Sequence, residues 1–133
     1  MTTPYEIKAF LDDLGTLGTI VVGFAPASPD AICIVREYGG GAPDGQFGVA
    51  GIKYEHPSIQ LEFRGTPFDY AGPRAKAEIA WRALAAVQPG TFAPSSSTYL
   101  RIRPVQSPLP LAMDDNQRHR IICNFWVEKE LSA

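Results

Sequence analysis

Any chemistry in this chain must come from two histidines, two cysteines and scattered carboxylates, and their spacing forms no recognisable constellation. His56 precedes Pro57 in a turn, and His119 lies between Arg118 and Arg120. Neither sits near a serine or cysteine in a nucleophile motif such as Gly-x-Ser-x-Gly. A zinc site drawn from Cys33, His56, His119 and Cys123 is arithmetically available, but it lacks the close ligand pairs that zinc sites use. Asp114-Asp115-Asn116 opens like a calcium loop without its glycine or closing glutamate, so it reads as a turn between strands. Glu62 and Asp69 form a nominal carboxylate pair; with Arg64 beside them, ion pairing is the expected use. No catalytic, cofactor-binding or metal-ligating set is expected, and the chain reads as a non-enzyme.

The arginines carry more information. Arg64, Arg101 and Arg103 alternate with apolar residues on strand-like segments, so they project from one sheet face if those strands pair. Arg118 and Arg120 extend the patch. Three uses are open: a solvated face, an interface that pairs carboxylates with defined geometry, or contact with a nucleic-acid backbone. Few aromatics are interleaved with these arginines, apart from Tyr99 and Trp126, so base-specific reading is not expected.

The elements that must position these residues follow from periodicity. Thr3, Pro4 and Glu6 open a first helix as a capping box, Ile7, Phe10, Leu11 and Leu14 form its apolar stripe, and Gly15 ends it. MTTPYEIKAF therefore reads as helix, not as a signal peptide. Strands are expected at 20–24, 31–37, 58–64, 99–103 and 119–128. In the strand over 31–37 the apolar content is nearly continuous, so both faces are expected to be covered. In the strand over 58–64, Ile59, Leu61 and Phe63 face one way and Ser58, Gln60, Glu62 and Arg64 the other. A second helix, capped by Asp69, runs to about Val87. The order α-β-β-β-α-β-β gives an α+β fold, a mostly antiparallel sheet with two helices packed on one face.

That second helix has two apolar stripes. Tyr70, Ala77, Ala80, Trp81 and Leu84 form one; Ala75, Ile79, Ala83 and Ala86 form another nearly opposite, with Arg82 at its boundary. A helix apolar on both sides is usually covered on both sides. The second stripe is covered either by the first helix or by another subunit. The glycine-rich segment containing Gly39, Gly40, Gly41, Asp44, Gly45, Phe47 and Gly48 is expected to be a loose surface loop or a flexible arm that orders against a neighbour. A phosphate loop is not expected there, because the Lys-Ser/Thr ending and the following helix are missing.

Bulk properties agree with assembly more than chemistry. The chain of 133 residues reads as one domain, 1–133, and its net charge of −2 predicts no global attraction to nucleic acid or to anionic membrane. No apolar run is long enough to span a bilayer. Cys33 and Cys123 sit within apolar runs and are expected to be buried free thiols.

Several segments occur together and in order: GIKYEHPSIQLEFRGTPFDYAGPRAKAEIAWRAL, YLRIRPVQSPLPLAMDDNQR and CNFWV. In these the chain resembles a family of long-tailed bacteriophage minor capsid proteins, similar in size and layout to tail terminator and tail-completion proteins. The resemblance spans roughly Gly51 to Val127. One departure stands out: the resemblance implies a glycine just before Arg118, and this chain has Gln117. The resemblance implies a tail-terminator-like fold and a homo-oligomeric ring, typically hexameric. Such a ring caps the tail tube, contacts the tube protein, and offers a docking face to the head connector or stopper. DNA passes through its lumen without sequence recognition. The implied location is the virion tail or neck, and the host cytoplasm during assembly, with no membrane and no cofactor. Alternatives are a head-completion protein on the capsid side, or a non-enzymatic module that binds nucleic acid or a small ligand.

Overall fold

The structure is a computed structural model that describes residues 2–45, 52–95 and 97–130. Helix α1 (Thr3–Leu14) carries proline in its first turn and ends on Gly15, whose left-handed φ of 75° turns its N–H back to the Asp12 carbonyl. The capping box does not form. The cap position is Thr2, without a side-chain cap bond, while Thr3 and Glu6 are buried. Ile7 and Leu11 are fully buried, and Phe10 stacks on Phe92 at 4.8 Å between ring centroids. Leu14, expected on this stripe, is exposed.

The sheet is built from β1 (Ile20–Val22), β2 (Ile32–Gly45), β3 (Ile52–Pro67), β4 (Gly90–Thr91), β5 (Thr98–Pro104), β6 (Leu109–Leu111) and β7 (Arg118–Glu130). Its order is β1-β2-β3-β7-β5-β4, with β6 pairing on β7. Every pair is antiparallel except β1 with β2. The fold is the expected α+β arrangement. Strands β4 and β6 were not expected; they have only 2 and 3 residues.

Alternation sorts the two faces as expected on β3 and β7. Ile59, Leu61, Phe63, Ile121, Cys123, Phe125 and Val127 point to the core together with Cys33 and Val35. Ile32 and Ile34 are buried on the opposite face of β2, so that strand is indeed covered on both sides. Strand β5 departs from simple alternation. A register shift between Tyr99 and Arg101 swings Tyr99 into the core beside Ile102, whereas strict alternation puts it with the arginines. Both cysteines are free and buried, and burial pushes the Cys123 thiol up to about 12.

Helix α2 (Ala71–Ala85) buries Pro73, Ala77, Ala80 and Leu84. Its small residues permit close approach to the sheet. Asp69 Oδ1 accepts the Gly72 N–H at 3.1 Å, so this carboxylate satisfies one of the free amides at the helix start. Helix α1 packs on β1 and β2, and α2 on β3, β5 and β7. No helix among the described residues is long and apolar enough to cross a membrane.

Candidate assembly surfaces

The five strand arginines do not form one patch. Arg64, at the end of β3, is buried and donates to three carbonyls: Pro26 at 2.7 Å, Pro29 at 2.8 Å and Asp30 at 3.0 Å. Arg118 is buried beside it and donates to Asp114 at 2.8 Å, the Ala27 carbonyl at 2.9 Å and Asp30 at 3.1 Å. A proline has no N–H of its own to offer, so the loop between β1 and β2 takes its donors from these two side chains. Both side chains are thus engaged within the chain and, at 5% exposure each, present little surface of their own.

Glu62 pairs with Arg36 at 2.9 Å and with Arg120 at 3.1 Å, not with Arg64. Burial alone raises the Glu62 pKa, but hydrogen bonds from Arg120 and Arg36 outweigh it and hold the carboxyl below its ordinary value. Arg120 is therefore tied down on the sheet face, although Arg36 shares the same carboxylate and the trio keeps a net positive charge.

Arg101 and Arg103 are the two that stay exposed. Arg101 pairs with Glu128 across the β5–β7 ladder at 2.9 Å. The Arg103 guanidinium lies over the Trp126 ring, 5.5 Å from its centroid, and among the described residues it has no carboxylate partner. Trp126 is 51% exposed. These side chains form one wall of a cleft of about 560 Å³. Tyr38 and the backbone of Gly39 to Gly41 form the opposite wall, with His56 and Ser58 between.

The glycine segment is not the loose loop expected. Gly39, Gly40, Gly41, Asp44 and Gly45 belong to β2, and Gly40, Gly41, Asp44 and Gly45 pair with Pro57, His56, Tyr54 and Ile52 of β3 through register shifts. Gly39 and Gly40 have φ of 55° and 155°. A Cβ on Gly40 would lie 2.7 Å from the His56 carbonyl oxygen. The glycines thus permit a bulged ladder, with backbone hydrogen bonds holding the segment. Phe47 and Gly48, the remaining residues of the expected arm, lie outside the described residues.

On α2 the second stripe is open. Ile79 is 44% exposed, Ala75 and Ala86 are exposed, and Ala83 is half-buried. Helix α1 packs elsewhere, so it does not cover this stripe. Arg82 and Arg74 both pair with Glu78 along the helix, at 2.7 and 3.2 Å. They border the apolar strip and, sharing one carboxylate, leave it flanked by net positive charge.

One constellation escaped the sequence reading. Glu6 is fully buried between Lys129, Ser95 and Tyr99; the Tyr99 hydroxyl donates to it at 3.0 Å, and Lys129 and Ser95 donate as well. Burial raises the Glu6 pKa, and these hydrogen bonds more than reverse the effect. Glu6 lies one turn before Phe10, so a carboxylate within the apolar stripe was the available signal. Among the described residues no group of three or more His, Cys, Asp or Glu side chains converges to hold a metal ion.

No protein-family model matches the chain, and no curated protein matches it in sequence. Among solved structures, its fold is similar to that of a chain from the virion of a native gene transfer agent particle. The TM-score is 0.61 at 15% identity, over 96% of this chain and 90% of that chain. At this identity the likeness is one of fold.

Proposed function

We propose that this chain is a structural protein of a phage-like virion. It forms a ring at the head–tail junction that ends the tail tube and presents a docking face to the head connector. The observation that carries the reading is the fold likeness, across nearly the whole of both chains, to a component of a gene transfer agent virion. The sequence resemblance to phage minor capsid proteins points the same way.

The surfaces agree with it. A closed ring uses heterologous contacts, so each copy needs two different adhesive faces. The open α2 stripe around Ile79 is one. The sheet face bearing Trp126, Arg101 and Arg103 is the other, on the opposite side of the sheet from the helices. DNA passage through such a ring needs no base-reading groups.

Electron microscopy of the purified protein tests this directly. Rings, seated on tube ends when tail tubes are supplied, are the expected result. Isolated single copies in the presence of tube ends overturn it. A persistent monomer that binds DNA with steep salt dependence identifies a nucleic-acid-binding module instead.

A further inference from the structure

We infer that the Arg103–Trp126 cleft receives the acidic last turn of α1 from a second copy of this chain. The inference rests on the ring reading and assigns it a specific contact.

The cleft side is cationic and aromatic. It carries two arginines against one glutamate, and Glu128 is already engaged by Arg101. Among the described residues Arg103 has only the Trp126 ring as partner, and an exposed tryptophan beside an arginine is a typical anchor of a protein interface. Tyr38 adds a second exposed aromatic on the far wall. Gly39, where an added Cβ would meet nothing within 4 Å, leaves the wall open to a close approach by another backbone.

The α1 side is complementary. Its last turn contains Asp12 and Asp13 and no basic residue. Two carboxylates at the negative end of a helix dipole are unfavourably placed. Lys8 pairs with Asp12 at 2.6 Å, and Asp13 is exposed without an ion partner among the described residues. Leu14, in the same last turn, is exposed and supplies apolar area to meet Trp126 and Tyr38.

Position within the fold agrees with charge. Helix α1 covers the core face of the sheet, and the cleft opens on the opposite face. One copy cannot satisfy itself, whereas a neighbour stacked helix layer to sheet face can. The same stacking brings the α2 stripe to the neighbour's sheet.

A charge swap on the full chain tests the contact, with assembly followed by sedimentation and electron microscopy. Asp13→Arg and Arg103→Glu, each alone, should weaken assembly at least tenfold, and the two together should restore most of the loss. Both sites are exposed, and circular dichroism checks that each variant folds. Rings that form equally well with either single substitution overturn this inference while leaving the ring reading intact. Losses that simply add in the double variant overturn it as well. A wild-type chain that never assembles overturns both.

Discussion

The Phe68 amide donates to the Gln117 carbonyl at 2.8 Å, and both residues hold a left-handed backbone, with φ of 62° and 63°. The bond joins the turn before α2 to the hairpin that opens β7. Neither residue is a glycine, and a left-handed residue with a Cβ costs roughly 1–2 kcal/mol. The resemblance to phage proteins implies glycine at the second position, and the backbone angle there gives the physical reason.

Gln117→Gly should therefore stabilise the protein by about 0.5–1 kcal/mol, the gain reduced by the extra freedom of glycine in the unfolded chain. Urea unfolding with an unchanged m-value checks it. Destabilisation would show that the Gln117 side chain matters more than its backbone angle.

Glu6→Ala takes from buried Lys129 its close carboxylate, leaving only the longer pair to Glu55 at 3.9 Å, and takes from the Tyr99 hydroxyl its acceptor. A loss of about 3–5 kcal/mol is expected. Glu6→Leu combined with Lys129→Met should recover a large part, because an apolar pair avoids the desolvation of both charges. Equilibrium unfolding of the single and double variants separates these outcomes.

The pH dependence follows from Glu6 and Glu62, both held below the ordinary carboxylate value of about 4.3. A carboxyl with a depressed folded pKa stabilises above its unfolded pKa, and the contribution disappears as pH falls through the folded value. Unfolding midpoints should be flat from neutrality to about pH 5 and fall steeply below about pH 4. Glu62→Gln should soften the acid limb. An identical limb in that variant would assign the acid sensitivity elsewhere.

Arg64→Ala removes three charge-assisted hydrogen bonds to the proline loop. Destabilisation of about 3 kcal/mol is expected, with protease cleavage appearing between Phe24 and Asp30. Arg103→Ala, by contrast, should change stability by less than about 0.5 kcal/mol, because its guanidinium is exposed. Similar losses in both would contradict the division between inward and outward arginines.

Ile79→Asp should leave a folded monomer with an unchanged melting temperature and abolish assembly. Its side chain is 44% exposed, so a charge there remains hydrated in the single copy. Unimpaired rings would remove the α2 stripe from the contact.

Much of this fold is legible in the residue pattern because β3 and β7 alternate strictly and α2 has helical spacing. Strands β4 and β6 are not, since 2 and 3 residues carry no period and β6 contains Pro110. The capping-box pattern of Thr3 and Glu6 is a local signal that loses to a distant one: Lys129 and Tyr99 draw the carboxylate into the core. The glycine segment misleads similarly, because composition cannot show that β3 is long enough to hold it. Among the site residues, alternation finds Arg101 and Arg103. It cannot tell them from Arg64 and Arg118, whose burial depends on where a proline-rich loop folds over. Trp126 earns its place in the cleft only through pairing across β5 and β7.

The seat of β7 between β3 and β5 has a consequence for biosynthesis. A ribosome delivers this segment after every other strand of the sheet, and until then β3 exposes a row of unpaired amides and carbonyls. A nascent polypeptide halted before Arg118 lacks the middle of its own sheet. Half-made copies thus lack the strand that carries Trp126 and Glu128 beside Arg103 and Arg101, so the cleft exists only once the sheet is whole.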